Sequence, residues 1–524
     1  MTTNHLTLIY RDCQRRFAFE GERTLLCVLR DNGIDIILPC GGDGRCGGCA
    51  VRISGDMLPP DEQELSRLEG RASGLRLACR VTMTGDCILH ADCSSERSND
   101  IFTGALPVDT AMHAAFDLGT TTVALRITDG GGAVLYEHSE HNRQRSFGAD
   151  VMTRIAHCDG EGLPSMHDTV CRQLHDMLLR GAAAVGHAPQ RATVAGNTAM
   201  LSILAGVDPS PLGIAPYRPT DRFGRAVDCL WRDCDGSEHR DRYFLLPCIG
   251  GFTGGDLAAC LYALERDFPE LAADGTLLCD LGTNGELALR CGDRWLVTSA
   301  AAGPALEGGM ISCGSGAVEG ALVRIFDNSD SSVAPDNDSE KTAVSDSDLC
   351  TVSLGCDISG LLLGSGAPRS LSGCALLDLT ALLLRRGILD RSGRLECECF
   401  ELCDGISYTQ QDVRQLQLAK GAVAAAALRL VEHAFGDSPP PITAVITGGL
   451  GYRIDPLTVT EISLLPLCTP QSIRALPALA LRGAALCRDH AAAQQVCDLV
   501  RRCDVLELGG DSRFDELFVE LLEF

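Results

Sequence analysis

The chain has 524 residues, enough for two to four domains each with its own core. Its 70 acidic residues outnumber 45 basic ones, and the net charge of -25 argues against a nucleic-acid or anionic-membrane surface, because binding phosphate needs clustered positive charge. The polar start MTTNHLTLIYRDCQRR lacks a secretory signal and no apolar run reaches the ~18 residues of a membrane span, so a cytoplasmic location is expected, with the 27 cysteines as reduced thiols or metal ligands rather than disulfides, a usage that suits anaerobic life.

In chain order, HLTLIYR and RRFAFE read as strands and TLLCVLRDNG as a helix. A cysteine loop, strand CAVRISG and the segment RLACRVTMTGDCILHA follow, so residues 1–95 read as a β-grasp domain. The loop has the spacing Cys40-x5-Cys46-x2-Cys49, and Cys79 is a fourth thiol downstream. Zinc usually takes two separated C-x2-C knuckles and only one is present; the two successive C-x2-C steps of a 4Fe–4S run are absent. Glycines 41, 42, 44, 47 and 48 let the backbone turn its N–H groups inward, which suits an anionic cluster whose sulfides need donors. The plant-type 2Fe–2S pattern is C-x4-C-x2-C with a distant fourth cysteine, and one extra residue in the first gap resembles the adrenodoxin and putidaredoxin branch of ferredoxins. Cys40, Cys46, Cys49 and Cys79 are therefore the expected 2Fe–2S ligands, with zinc or plain core cysteines as alternatives. Cys397, Cys399 and Cys403 lack glycine wrapping and a fourth partner, and with Cys229 and Cys234 they are read as ordinary thiols.

Residues 96–112 have no periodic pattern and read as a linker. AAFDLGTTTVALRITDGGGAVLYEH then places an apolar strand before a tight turn at Asp117 and two more strands, and TLLCDLGTNGELALRCGDRWLVTSA repeats this at Asp280. Glycine lets main-chain N–H groups approach phosphate oxygens, threonine hydroxyls add donors, and each aspartate can hold Mg2+ directly or through water. The expected phosphate contacts are Gly119, Thr120 and Thr121 in the first turn and Gly282, Thr283 and Asn284 in the second. A Walker P-loop is excluded, since neither Lys341 nor Lys420, the two lysines present, stands in Gly-Lys-Ser/Thr. GGFTGG at 250–255 does not match the dinucleotide pattern G-x-G-x-x-G.

The elements between the two turns run βββαβαβα, a right-handed crossover order. Past the second turn come AAGPALEGGMISCG, an acidic Ser/Asp-rich insertion near 326–348 that reads as a disordered loop, two long helices, and the buried strand ITAVITGGLG. Its glycines suit a nucleoside lying against backbone, which selects Gly448 and Gly449. A helix, ALALRGAALC, closes the pattern.

Paired turns at Asp117 and Asp280 with Gly448-Gly449-Leu450-Gly451 resemble the ASKHA superfamily of actin, Hsp70 and sugar kinases, an α/β (α+β) RNase H-like fold. That resemblance implies a first lobe over 113–275, a second over 276–490 and a C-terminal tail over 491–524. FGADVMTRI, AGNTAM, DLGTNGE, AAGPALEGGMISCG, RRGILDRSGR and QLQLAKGAV, behind a ferredoxin domain, resemble specifically the ATP-dependent reductive activators of corrinoid enzymes. The resemblance implies one-electron reduction of an inactive Co(II) corrinoid protein to Co(I), with a 2Fe–2S cluster, ATP and Mg2+ as cofactors. The implied partners are the corrinoid protein of a methyltransferase system and an unidentified reductant of the cluster, with no nucleic acid and no membrane; a homodimer is also entertained. Longer members carry a further middle segment where this chain has only its linker. Asp117 and Asp280 are expected to organise Mg-ATP, and Asp256 or Glu307 to orient the attacking water, although Asp256 also suits a helix cap. The rival readings are an ASKHA-fold kinase, which has no use for a ferredoxin; an ATP-driven activator of 2-hydroxyacyl-CoA dehydratases or benzoyl-CoA reductases, whose cluster is 4Fe–4S and lies between subunits; and a sensing or scaffold role.

Overall fold

The structure is a computed structural model that describes every residue except 1–2, 11–12, 33, 35, 37, 39–41, 43, 45–48, 69–73, 91–100, 103–110, 160–161, 234–235, 283, 329–348 and 356. The N-terminal domain comprises β1 (Thr3–Tyr10), β2 (Cys13–Glu20), β3 (Arg23–Thr24), α1 (Leu25–Asp31), β4 (Ala50–Met57), α2 (Glu62–Leu68), β5 (Leu75–Leu77) and β6 (Thr82–His90). Its sheet runs β2-β1-β6-β4-β5, with β3 on β6 and β1 parallel to β6. Along β6, Met83, Cys87 and Leu89 face inward while Asp86, Ile88 and His90 face water, the period-two pattern of a half-buried strand. Helix α1 lays Leu25, Val28 and Leu29 onto Leu6, Phe17 and Leu77, spaced to share one helical face. Buried Glu64 of α2 accepts from Arg76 Nε at 2.7 Å and from the Leu77 N–H at 2.8 Å, so α2 fixes the strand that leads into Cys79.

The chain then enters a seven-stranded sheet. Its strands are β7 (Ile101–Phe102), β8 (His113–Leu118), β9 (Thr122–Thr128), β10 (Val134–His141), β11 (Arg191–Gly196), β12 (Arg225–Arg232) and β13 (Glu238–Leu245), ordered β12-β13-β11-β8-β9-β10-β7. Helices α3 (Val151–His157), α4 (Gly162–Val185) and α5 (Thr198–Leu204) belong to this lobe, and α6 (Gly255–Asp267) leaves it. The linker thus contributes an edge strand, with Ile101 opposite Glu137 and Phe102 opposite Tyr136.

The second lobe is built on β14 (Thr276–Leu281), β15 (Gly285–Cys291) and β16 (Arg294–Ala300). A four-stranded sheet follows, of β17 (Ala321–Asp327), β18 (Leu349–Gly355), β19 (Ile358–Leu363) and β20 (Ser370–Leu371). Then come α7 (Gly373–Arg385), the hairpin β21 (Cys399–Cys403) and β22 (Ile406–Thr409), α8 (Gln410–Phe435), β23 (Thr443–Thr447), α9 (Pro456–Glu461), β24 (Ile473–Ala475), α10 (Leu479–Leu486), α11 (His490–Val500), β25 (Cys503–Val505) and α12 (Ser512–Glu520). The main sheet is ordered β24-β23-β14-β15-β16-β25. Five of its six strands repeat the inner five of the first lobe: β13-β11-β8-β9-β10 and β24-β23-β14-β15-β16 share one pattern of parallel and antiparallel pairs. A reciprocal capping box of Thr409 and Asp412 starts α8.

One core joins the lobes. Ala115 and Ala195 of the first sheet, Leu278, Ala288 and Val445 of the second, and helices α6, α10 and α11 pack together. Helices α6 and α10 cross so closely that a Cβ at Gly483 would stand 2.0 Å from the Ala259 carbonyl oxygen, so only glycine fits the crossing.

Residues 491–524, expected as a tail, contain β25 of the second sheet and α12 packed on α8. Their end is held by motif residues: Gln417 Nε2 donates to Leu522 O at 2.9 Å, Lys420 Nζ to Leu521 O at 2.8 Å, and the Phe524 N–H to Arg391 O at 2.9 Å. QLQLAKGAV and RRGILDRSGR therefore act in the fold, clasping the C-terminus. Residues 326 and 327, expected to open the acidic insertion, belong to β17, where Asp327 pairs with Arg386 at 2.8 Å; most of the insertion lies outside the described residues. No helix among the described residues is long and apolar enough to cross a membrane.

Candidate functional site

The two Asp-Leu-Gly-Thr turns both face the cleft between the lobes. In the first, Asp117 is the penultimate residue of β8, and the Gly119 N–H donates to Thr122 O at 3.0 Å. A Cβ at Gly119 would stand 2.7 Å from that oxygen, so the turn needs glycine. Three side chains brace the loop from below. Asn142 Nδ2 donates to Gly119 O at 2.8 Å, Arg154 Nη2 to Thr120 O at 2.6 Å, and Asn197 Nδ2 to Thr120 Oγ1 at 3.1 Å. Arg154 is fully buried, which lowers its pKa to about 9, and its Nε donates to Gly148 O at 2.9 Å. FGADVMTRI and AGNTAM thus supply two of the three braces, Arg154 and Asn197. Thr121 lies exposed in the cleft.

In the second turn the Gly282 N–H donates to Asn284 O at 3.1 Å. Thr283, expected to contact phosphate, lies outside the described residues. Asp280 is the penultimate residue of β14, with Thr447 beside it on β23 and Glu286 directly opposite on β15. Gly448 has φ +79°, and a Cβ there would meet Asp280 Oδ1 at 2.4 Å, so β23 turns away from the acid only with glycine at that position. Exposed Gly449 borders the same space, its ideal Cβ position 3.7 Å from Glu307 Oε1. Across the cleft, Thr121 Oγ1 donates to Glu307 Oε2 at 3.4 Å, joining the first turn to AAGPALEGG.

Five carboxylates therefore share one region. Burial, then Asp256 and Asp280, raises Asp117 well above the carboxylate range. Burial, then Asp256, raises Asp280 to about 7, and burial raises Asp256 to about 6. Glu286 is raised well above its usual value by burial, then by Asp256 and Asp280. Both members of the facing pair are raised, as expected where two buried carboxylates cannot both ionise. The Cys260 thiol, 3.7 Å from Asp280 Oδ2, is pushed up chiefly by burial.

Of the acids read from sequence, Asp117, Asp256, Asp280 and Glu307 are brought together. Asp256 is not the cap of α6, whose N-cap is Gly254 with no side-chain cap; it lies in the first turn, where it accepts from the Leu257 N–H at 2.8 Å while facing the other acids. Glu286 was not singled out from sequence. Its signal was present in DLGTNGE, because paired residues stand symmetrically about a hairpin turn and directly opposed side chains share a face. Such a concentration of acids calls for a cation. Mg2+ is ordinarily held by one or two carboxylates together with substrate phosphates and several waters. The donor set fits that arrangement; among the described residues no three candidate ligands converge as a ready-made ion site.

In the N-terminal domain, Cys49 Sγ and Cys79 Sγ lie 3.3 Å apart. That is far beyond a disulfide bond and short enough to share one metal ion, for which 2.3 Å bonds at a tetrahedral angle give about 3.8 Å. Contact with Cys79 lowers the Cys49 pKa against its burial. Gly42 and Gly44, at φ +101° and +72°, supply the left-handed turns the loop needs. These residues fit a 2Fe–2S cluster. Cys40 and Cys46 lie outside the described residues.

Three family models match successive parts of the chain: a 2Fe-2S iron-sulfur cluster binding domain over 10–84, the RACo middle region over 112–267, so that the middle segment expected to be replaced by the linker is matched here, and the C-terminal domain of RACo, the ASKHA domain, over 274–524. The corrinoid activation enzyme RamQ of Eubacterium limosum is 27% identical over 484 residues, covering 84% of this chain and 73% of that protein. The Co(II) methylated amine-specific corrinoid protein reductase of Methanosarcina barkeri is 27% identical over 320 residues, 59% of this chain and 57% of that one. A solved structure titled as a reductive activator for a corrinoid, iron-sulfur protein aligns with a TM-score of 0.63 at 21% identity, covering 99% of this chain and 98% of that one, which establishes the shared fold.

Proposed function

We infer that this chain, which belongs to the family of ATP-dependent reductive activators of corrinoid enzymes, reduces an inactive Co(II) corrinoid protein to Co(I) by one electron and uses ATP to do so. The observation that supports it most is the union of a cluster-type cysteine loop and a two-lobed acidic cleft in one polypeptide. When bound, the 2Fe–2S cluster supplies a single electron at about -400 mV. In the family the Co(II)/Co(I) couple lies lower, so the transfer needs a nucleotide-dependent change of the complex to proceed.

Cys40, Cys46, Cys49 and Cys79 are assigned to the cluster. Asp117 and Asp280 are assigned to Mg-ATP, with Gly119, Thr120, Thr121, Gly282, Thr283 and Asn284 around the phosphates and Gly448 and Gly449 beside the nucleoside. Asp280, opposite Glu286, is the acid best placed to organise Mg2+ and its waters; Asp256 and Glu307 are the candidates to orient the attacking one. Braced from beneath, the first loop fixes phosphate position. We assign the partner to a methyltransferase system in the cytoplasm, with a separate reductant for the cluster. A net charge of -25 speaks against nucleic acid. A homodimer is tested by light scattering of the purified protein, where a monomeric mass would dismiss it.

The test mixes the reduced protein, a Co(II) corrinoid protein and ATP, and follows corrinoid absorbance. Co(I) should form only with reduced cluster and ATP together; equal formation without ATP would overturn the reading. Iron and sulfide analysis should give two irons per chain, and stoichiometric zinc would remove the cluster assignment.

A further inference from the structure

We propose that the turn from Asn142 to Gly148 docks the N-terminal domain of the same chain through Leu38, and that it couples that domain to the first phosphate turn. The inference rests on the ATP reading above and deepens it.

Both ends of the turn are tied to the phosphate loop. At one end, Asn142 donates from its backbone N–H to Thr121 O at 2.9 Å and from Nδ2 to Gly119 O at 2.8 Å, while its Oδ1 accepts from the Gln144 N–H at 2.9 Å. At the other, Arg154 bridges Gly148 O and Thr120 O. Between these ties, the Arg145 carbonyl accepts the Leu38 N–H at 3.4 Å. Leu38 is fully buried and stands two positions before Cys40. Leu38 packs in the core of the N-terminal domain, so the contact ties that domain to a turn that itself touches the phosphate loop.

A second observation places the N-terminal domain at this edge. The chain leaving β6 adds β7 to β10, and β10 runs directly into the Asn142 turn. The tether and Leu38 thus engage neighbouring parts of the first lobe, which keeps the effective concentration of the N-terminal domain high at this surface. A nucleotide that repositions Gly119 and Thr121 must carry Asn142 with it, and with Asn142 the carbonyl that holds Leu38.

Hydrogen exchange of the full-length, cluster-loaded protein tests this, read at the peptide containing Leu38 with and without Mg2+ and AMP-PNP. The expected result is a nucleotide-dependent change of about fivefold or more, the lower end of ordinary coupling between sites. Asn142→Asp keeps the acceptor for Gln144 but loses the donor to Gly119 O, and at saturating nucleotide it should lose that response. Arg154→Lys, which breaks the opposite tie, should do the same and serves if the first variant does not fold. AMP-PNP binding without any change at Leu38, or an undiminished response in a folded variant, would overturn the inference and leave the ATP reading standing. Failure of the wild-type protein to bind AMP-PNP would overturn both.

Discussion

The two copies of the Asp-Leu-Gly-Thr hairpin differ in what surrounds them. The first is braced by the neutral donors Asn142 and Asn197 and by buried Arg154, and the residue opposite Asp117 is Ala124. The second has Glu286 opposite Asp280, Cys260 against the Asp280 carboxylate and Glu307 nearby. One local motif therefore serves as a rigid cradle in one lobe and as an acidic pole in the other. A duplicated turn fixes backbone geometry; its chemistry follows from what the rest of the lobe packs against it.

The sharpest way to break this division is Asp280→Asn, for which turnover of ATP should fall about 10²- to 10⁴-fold with the fold retained, measured by phosphate release. A near wild-type rate would leave the second hairpin without its assigned role. Arg154→Met acts on the other copy. It strips two buried carbonyls of their donor and should cost about 2–4 kcal/mol of first-lobe stability in urea unfolding. If instead it left stability intact and abolished turnover at saturating ATP, the cradle would be catalytic and the distinction would fail.

Glu286→Gln sharpens the comparison through pH. A carboxylate whose folded pKa is raised keeps its proton in the folded state after the unfolded chain has released it. Stability therefore declines as pH rises from the unfolded value near 4 towards the folded one. Glu286, raised well above the usual range, and Asp280, raised to about 7, both act in that sense. In the absence of Mg2+, Glu286→Gln should therefore be more stable than wild type at pH 8, by about 1 kcal/mol once cleft water is allowed for, and indistinguishable from it at pH 4. The smallest effect expected is in the wild-type protein. Mg2+ with AMP-PNP replaces the protons, so its thermal shift should be larger at pH 8 than at pH 5.5, by roughly 2–4 °C per kcal/mol of linkage. A shift independent of pH would show that the acidic pole does not meet the cation.

The β-grasp order, both aspartate turns and the closing strand ITAVITGGLG were legible because each is a local pattern. Glycine positions, apolar runs and cysteine spacing specify backbone shape within a few residues. The hairpin of β12 and β13 was less so; only a strand overlapping its second was read, because the exposed side chains Ala226 and Leu230 are apolar and blur the alternation in RAVDCLWR. Glu286 was overlooked although its register could have been counted from the turn.

The sequence by itself determined that four cysteines are spaced for one cluster and that two matching turns and a glycine-rich strand are present for a nucleotide. Only the tertiary structure decided which acids meet. Asp117, Asp256, the Asp280–Glu286 hairpin pair and Glu307 are well separated along the chain, and neighbouring acids add to burial in raising Asp117, Asp280 and Glu286 because α6, β8, β14, β15 and the segment around Glu307 converge on one cleft. Electrostatic coupling depends on separation in space and on exclusion of water, and neither quantity is written in residue order. The same holds for QLQLAKGAV and RRGILDRSGR, whose residues clasp the C-terminus because packing of α12 on α8 brings Leu521 and Leu522 to Lys420 and Gln417.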